Sequence, residues 1–243
     1  MKYLKTALVA SVLTTAAGSA MAEDAVIKDG YIFEHNKLIP TGARAEVGTT
    51  GYGGAIQWTA SPYVGLSLGY NGGDLSWSDD IKINGSKYDV DMNNKNIYLN
   101  AEIHPWGVSD NRWAQGTYFA AGVAYLDNDY DLLQRSKDGT VKLNGNTYAY
   151  NGEIRGKMNY KNNIAPYLGV GIAPKFSKNW GVFGEIGAYY TGNPTVNLEA
   201  DGTFVNSNGG NAEADLKADQ QKIANDSKYA WMPVGKVGVN FYW

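Results

Sequence analysis

Eight charged residues fall where strand alternation would turn them toward the inside of a closed sheet: Arg44, Glu46, Glu102, Arg155, Lys157, Lys161, Glu185 and Lys236. Both signs are present. An ion shut away from water is costly unless paired, so in a narrow lumen these groups must form pairs or stay hydrated. Two outcomes use the same residues. As fixed ion pairs they plug the lumen and hold the strands in register; as pairs that rearrange they gate a path for a small charged solute. Lys236 and Glu185 are expected on adjacent strands within ion-pair reach, with Glu102 competing for the lysine. Arg44, Glu46, Arg155 and Lys157 are expected to form a second tier nearer the outside.

Other chemistries find little support. The only histidines, His35 and His104, fall near opposite ends of the expected barrel, which argues against a shared metal. No serine near His35 in its own segment could act with it as a nucleophile, so neither a catalytic site nor a metal site is assigned. Asp127, Asp129 and Asp131 alternate on one strand face but lack the glycine and distal glutamate of a calcium loop. The GYGG string at 51–54 has no Lys-Ser/Thr after it and reads as a bulge making room for Tyr52. There is no cysteine, hence neither disulfide nor thiolate ligand. No cofactor is expected.

The elements that must carry these charges are strands. Residues 237–243 alternate strictly, with Val237, Val239, Phe241 and Trp243 on one side and Gly238, Asn240 and Tyr242 on the other. A strand with an apolar track and a terminal aromatic is how outer-membrane barrels close, and Phe241 and Trp243 are expected to serve as the C-terminal assembly signal for the barrel-assembly machinery. The pattern recurs at 96–104, where Ile97, Leu99, Ala101 and Ile103 face lipid, and at 63–71, where Val64, Leu66, Leu68 and Tyr70 do. Period 2 also runs across 155–173.

Short connections at 59–62 and 175–180 and a moderate one at 105–114 alternate with long polar ones at 79–89, 132–152 and 195–228, the arrangement of periplasmic turns and outer loops. The expected strands are 42–58, 63–78, 88–104, 116–131, 155–174, 181–196 and 229–243. An even count requires an eighth, which is placed in 26–33. Several exceed the ~9–11 residues a tilted strand needs to cross, so the barrel should project beyond the outer leaflet. Residues 211–226 hold only Leu216 and Ile223 as large apolar anchors and are expected to be mobile, the alternative being a short helix over one side of the mouth.

The fold class is therefore all-β: one eight-stranded antiparallel transmembrane barrel in the cell outer membrane. Residues 1–22 read as a secretory signal, with Lys2 and Lys5, an apolar run and an Ala-Met-Ala cleavage site, leaving 23–243 as a single barrel domain. Removing Lys2 and Lys5 takes the formal charge from −3 to −5, the wrong sign for nucleic acid. Thirty glycines and 13% aromatics suit strands bent over close neighbours with rings at the lipid interfaces. The segments 74–91, 127–154 and 195–228 together hold 16 acids against 8 bases. Such a mouth concentrates cations, and the acids could equally bridge divalent ions among lipopolysaccharide headgroups. Outer-membrane lipid and lipopolysaccharide are the expected surroundings.

Six strings carry a family likeness: GARAEVGTTGYGG (42–54), YVGL (63–66), LGYNGGD (68–74), AYLDNDYD (124–131), SKNWGVFGE (177–185) and WMPVGKVGVNFYW (231–243). With them the chain resembles the CarO family, the carbapenem-associated outer-membrane proteins of Gram-negative bacteria, over essentially the whole mature sequence. The likeness departs mainly at 132–152 and 197–228. It implies an eight-stranded barrel, uptake of ornithine and other basic amino acids, and a part in carbapenem passage. It carries no transport motif residue by residue.

Overall fold

The computed structural model describes residues 39–83, 86–136, 139–160, 162–205 and 211–243, with 75–83 and 86–88 described by backbone alone. The signal segment, the strand expected at 26–33, His35 and Lys161 lie outside the described residues.

Eight strands close an antiparallel ring. In ring order they are β1 (Gly42–Gly48), β2 (Gly51–Ser61), β3 (Val64–Ile83), β4 (Ser86–Ile103), β5 (Thr117–Arg135), β8 (Ile164–Ile172), β9 (Trp180–Tyr190) and β11 (Trp231–Tyr242), which returns to β1. Three further strands, β6 (Thr140–Leu143), β7 (Asn146–Tyr160) and β10 (Pro194–Val205), extend the wall beyond the ring. A short helix α1 (Arg112–Gly116) lies at the end with the short connections, and α2 (Ala212–Asn225) at the other.

The ring needs no strand before Gly42. The span 42–58, expected as one strand, is a hairpin: Thr49 and Thr50 turn the chain, Gly48 pairs with Gly51, and Gly51 adopts φ +101°, which a side chain would resist. The GYGG string is thus the start of β2 and not a bulge.

Below the turn the outward face is apolar. Leu66, Leu68, Ile97, Leu99, Val123 and Leu168 point outward and are 40–63% exposed, as lipid contact requires. Aromatics flank this band: Trp106, Trp113, Trp180 and Trp243 at the periplasmic end, and Tyr52, Tyr70, Tyr125, Tyr190 and Trp231 at the outer one. On β5 the outward track then changes within one step from Tyr125 to Asp127, Asp129 and Asp131, all exposed. Lipid ends there and water begins.

Above that line the polarity of the inner face inverts as well. Val90, Leu132, Val141, Leu143, Tyr148, Ile154, Val196 and Leu198 point inward and form an apolar core under α2. The long outer connections are therefore largely structured. Asn144 (φ 48°) and Gly145 (φ 86°) make the tight β6–β7 turn that Asn-Gly pairs favour. Residues 211–226, expected to be mobile, contain α2. Asn211 caps it by accepting from the Glu213 and Ala214 amides. Ala212, Leu216, Asp219 and Ile223 are its buried residues, one face of a helix, and Ile223 is wholly buried. Asp215 accepts hydrogen bonds from Tyr148 Oη, Asn146 and Asn144, which hold its carboxyl below the usual carboxylate range.

One irregularity decides which side chains reach the lumen. β5 pairs with β8 up to Tyr125–Ile164 and with β7 from Tyr130–Met158 upward. Between those pairs β5 has four residues, 126–129, and the chain running from β7 to β8 has five, so that side carries an extra residue. That reverses its alternation: Ala165 and Tyr167 face inward on β8, whereas Ile154 and Gly156 do on β7.

Candidate functional site: the charged lumen

The lumen is crossed by two tiers of ion pairs. Nearer the periplasmic end, Arg44 projects from β1 opposite Asn240 of β11. Its guanidinium donates to both oxygens of Glu102, at 2.9 and 3.4 Å, and through Nε to Asn240 Oδ1 at 2.8 Å. It lies 4.0 Å from the Phe183 ring centroid, and Ser67 Oγ donates to Glu102 Oε1 at 2.6 Å. The two-pronged, charge-assisted contact fixes orientation as well as charge.

Above it, Lys236 stands opposite Glu185, with Nζ 3.0 Å from Oε1 and both side chains 1% exposed. Glu185 also accepts from Tyr167 Oη at 2.7 Å and Tyr118 Oη at 2.8 Å. Lys236 Nζ sits 4.4 Å from the centroid of Tyr98, whose hydroxyl donates to Glu46 Oε1 at 2.6 Å. These rings fit because glycines face them: a Cβ at Gly69 would lie 2.3 Å from Tyr98, and one at Gly171 2.4 Å from Tyr118. Here the glycine-rich inner face serves to let aromatic rings cross the barrel.

The structure thus brings Arg44, Glu46, Glu102, Glu185 and Lys236 together. The order of the tiers is the reverse of expectation. Arg44 is nearer the periplasm because the 49–50 hairpin makes β1 ascend where a single strand over 42–58 would descend. Glu102 accordingly serves Arg44 and does not compete for Lys236. Arg155 and Lys157 are corrections too: the extra residue at 159–163 turns them outward above the lipid, where they are exposed, and Arg155 pairs with Glu153 at 3.1 Å. Phe241 and Trp243 face outward near the periplasmic end. Phe241 packs against Trp180 with centroids 4.8 Å apart, and Trp243 donates to the Pro40 carbonyl at 2.8 Å.

Alternation at 96–104 turns Asn96, Tyr98 and Asn100 inward, as the structure has them, but the charged candidates left out the tyrosines and a column of buried amides. Asn71, Asn94, Asn96 and Asn100 are each no more than 2% exposed and point inward from β3 and β4. Asn71 Nδ2, Asn94 Nδ2, both polar atoms of Asn96, Asn100 Oδ1 and Glu46 Oε2 have no protein hydrogen-bond partner. The alternation of 94, 96 and 100 with the lipid-facing Ile97 and Leu99 carried that signal. None of the ion pairs among the described residues includes Glu46.

At the periplasmic end Lys175 Nζ lies 3.9 Å from the Tyr242 ring centroid, and His104, Lys175 and Tyr242 line a cavity of about 40 Å³. At the outer end the apolar core and α2 cover the tiers. The arrangement is a polar plug beneath an apolar cover.

Solved structures that resemble this chain along its length include two from Acinetobacter baumannii. Acinetobacter baumannii CarO is 63% identical, with the match covering 86% of this chain and 100% of that one at a TM-score of 0.76. Acinetobacter baumannii CarO2 is 62% identical with the same coverage and TM-score. No protein-family model and no curated protein matched.

Proposed function

Because the chain belongs to the CarO family of outer-membrane barrels, we propose that it is an uptake channel for small cationic solutes, chiefly basic amino acids such as ornithine, whose resting state is the closed one described above. The observation that carries this reading is the buried column of ion pairs and unpartnered amides through the barrel. A wall selected for stability alone gains more from apolar filling, since desolvating ion pairs offsets most of their attraction. A column of exchangeable polar contacts instead offers a solute the hydrogen bonds it loses with water.

The outward belt of Asp91, Asp127, Asp129 and Asp131 outweighs the Lys95 and Lys157 that stand opposite Asp127 and Asp131, and a net negative rim favours a cationic solute because it raises local cation concentration and repels anions. Passage of carbapenems would need a wider opening of the same tiers, since these bicyclic molecules are bulkier than ornithine. The second reading is a permanently closed barrel with a structural or surface-interaction role; the apolar core under α2 favours it. Reversal potentials in planar bilayers under a salt gradient separate the two. Cation selectivity is expected; anion selectivity, or no conductance under any condition that keeps the barrel folded, would contradict the proposal.

A further inference from the structure

The middle of the lumen does not balance its charges locally. Arg44 is taken by Glu102 and Lys236 by Glu185, whereas Glu46 receives only the Tyr98 hydroxyl on Oε1. Oε2 of this carboxylate is buried without a protein partner, at a residue only 5% exposed. Leaving a desolvated carboxylate half-satisfied is costly, and the register shows what surrounds it. Glu46 pairs with Gly53, Gly53 with Asn71, and Asn71 with Asn96. One row of the wall therefore holds the free carboxylate oxygen, the free Nδ2 of Asn71 and both free atoms of Asn96. Asn94, with its Nδ2 also free, follows on the same face of β4.

An irregularity in the wall lies one strand beyond this row. Asn96 pairs with Leu126 and Asn94 with Asn128 across β4–β5. Leu126 and Asn128 line a notch of about 140 Å³ at the place where β5 passes from β8 to β7, together with Asp127, Asp129, Asn159, Tyr160, Asn162, Asn163 and Thr191. Asp127 and Asp129 are exposed on its outer side. The notch lies just above the Tyr125 belt, in the aqueous layer and below the apolar core under α2.

We propose that Glu46, Asn71, Asn94 and Asn96 form a lumenal subsite for a small solute bearing both a primary ammonium and a carboxylate, reached sideways through this notch. The ammonium donates to Glu46 Oε2 and Asn96 Oδ1, and the carboxylate accepts from the three amide nitrogens. No covalent step is involved. The inference rests on the uptake reading above, and deepens it by naming the residues that hold the solute and its way in.

The test is calorimetric binding to the intact barrel in detergent micelles, with ornithine, putrescine and glutarate as probes. The subsite predicts that ornithine binds more tightly than either putrescine or glutarate, and that Glu46→Gln weakens ornithine by at least about tenfold, as loss of a buried charge-assisted contact should. Asn96→Leu, which leaves every ion pair in place, should weaken it similarly and guards against misfolding of the first variant. The chain has no cysteine, so Asn128→Cys gives a single thiol in the notch. A bulky membrane-impermeant thiol reagent should block ornithine binding, and ornithine should slow the labelling. Absent ornithine binding, or binding unchanged in both Glu46→Gln and Asn96→Leu, overturns the subsite; binding indifferent to the label overturns the notch as its access. Flux measurements on the parent decide the uptake reading separately, since a barrel can bind ornithine without passing it.

Discussion

Lys236 is the residue whose loss separates a gate from a brace. Its ammonium answers Glu185, and both are 1% exposed. Lys236→Ala leaves a carboxylate held only by Tyr118 and Tyr167, at a cost of about 3–5 kcal/mol in a dry site and less in a hydrated one. If the tier is a gate, removing the long side chain should also raise single-channel conductance for small ions over the parent. Urea unfolding in micelles and planar-bilayer recordings read the two effects. Lower stability with unchanged conductance would make Lys236 a brace.

Depth along β4 gives a second residue-level test. Leu99 faces lipid and Asn93 faces outward above it, on the same track. Leu99→Arg should cost about 2–4 kcal/mol near the bilayer midplane and impair assembly, while Asn93→Arg should be tolerated. The yield of heat-modifiable barrel in outer membranes checks this, and equal yields would misplace the lipid boundary. At this scale the inward placement of Arg44, Glu46, Glu102, Glu185 and Lys236 was legible from alternation. Their partners were not, because partners across a lumen depend on strand order and direction.

Among the elements, α2 is the one that covers the mouth. Asp215 has its carboxyl pKa lowered by the hydrogen bonds from Tyr148, Asn146 and Asn144. A carboxylate with a depressed folded pKa contributes stability above its unfolded pKa and loses it as pH falls through the folded value. Amide protection across 212–225, taken relative to the intrinsic exchange rate at each pH, should therefore be high at pH 7 and fall below about pH 4, and Asp215→Asn should flatten that dependence. Ile223→Ala should loosen the helix at neutral pH, since emptying a fully buried position costs about 2–5 kcal/mol.

Why the sequence misled at two elements has a common cause. Alternation tells which residues share a face; it does not tell which face is inside. Across 155–173 the apolar positions run evenly from Met158 and Tyr160 to Ile164 and Leu168. The upper ones face an apolar core and the lower ones face lipid, and the extra residue at 159–163 hides the change. In 42–58 the sign was present. The outward track passes from odd positions (Ala43, Ala45, Val47) to even ones (Tyr52, Ile56, Trp58) across Thr49–Thr50, which one straight strand cannot do.

At the scale of the whole molecule, the barrel has a lipid-covered lower half with a polar interior and a water-exposed upper half with an apolar one. The eight-stranded ring and the outer-membrane setting were legible because the lipid face imposes period 2 on every crossing strand. The upper half was read as loops because strands in water with polar exteriors and turn residues look like loops in composition. Eight strands leave the lumen at the boundary between filled and just open, so closure by two tiers and a lid is compatible with slow, selective uptake.

The central claim is that this closed barrel passes small cations. Proteoliposomes bearing the parent protein, loaded with buffer and given labelled ornithine or labelled glutamate at equal concentration, test it most directly. The account predicts ornithine uptake above protein-free liposomes and clearly faster than glutamate uptake; equal rates for the two, or no uptake of either, would contradict it.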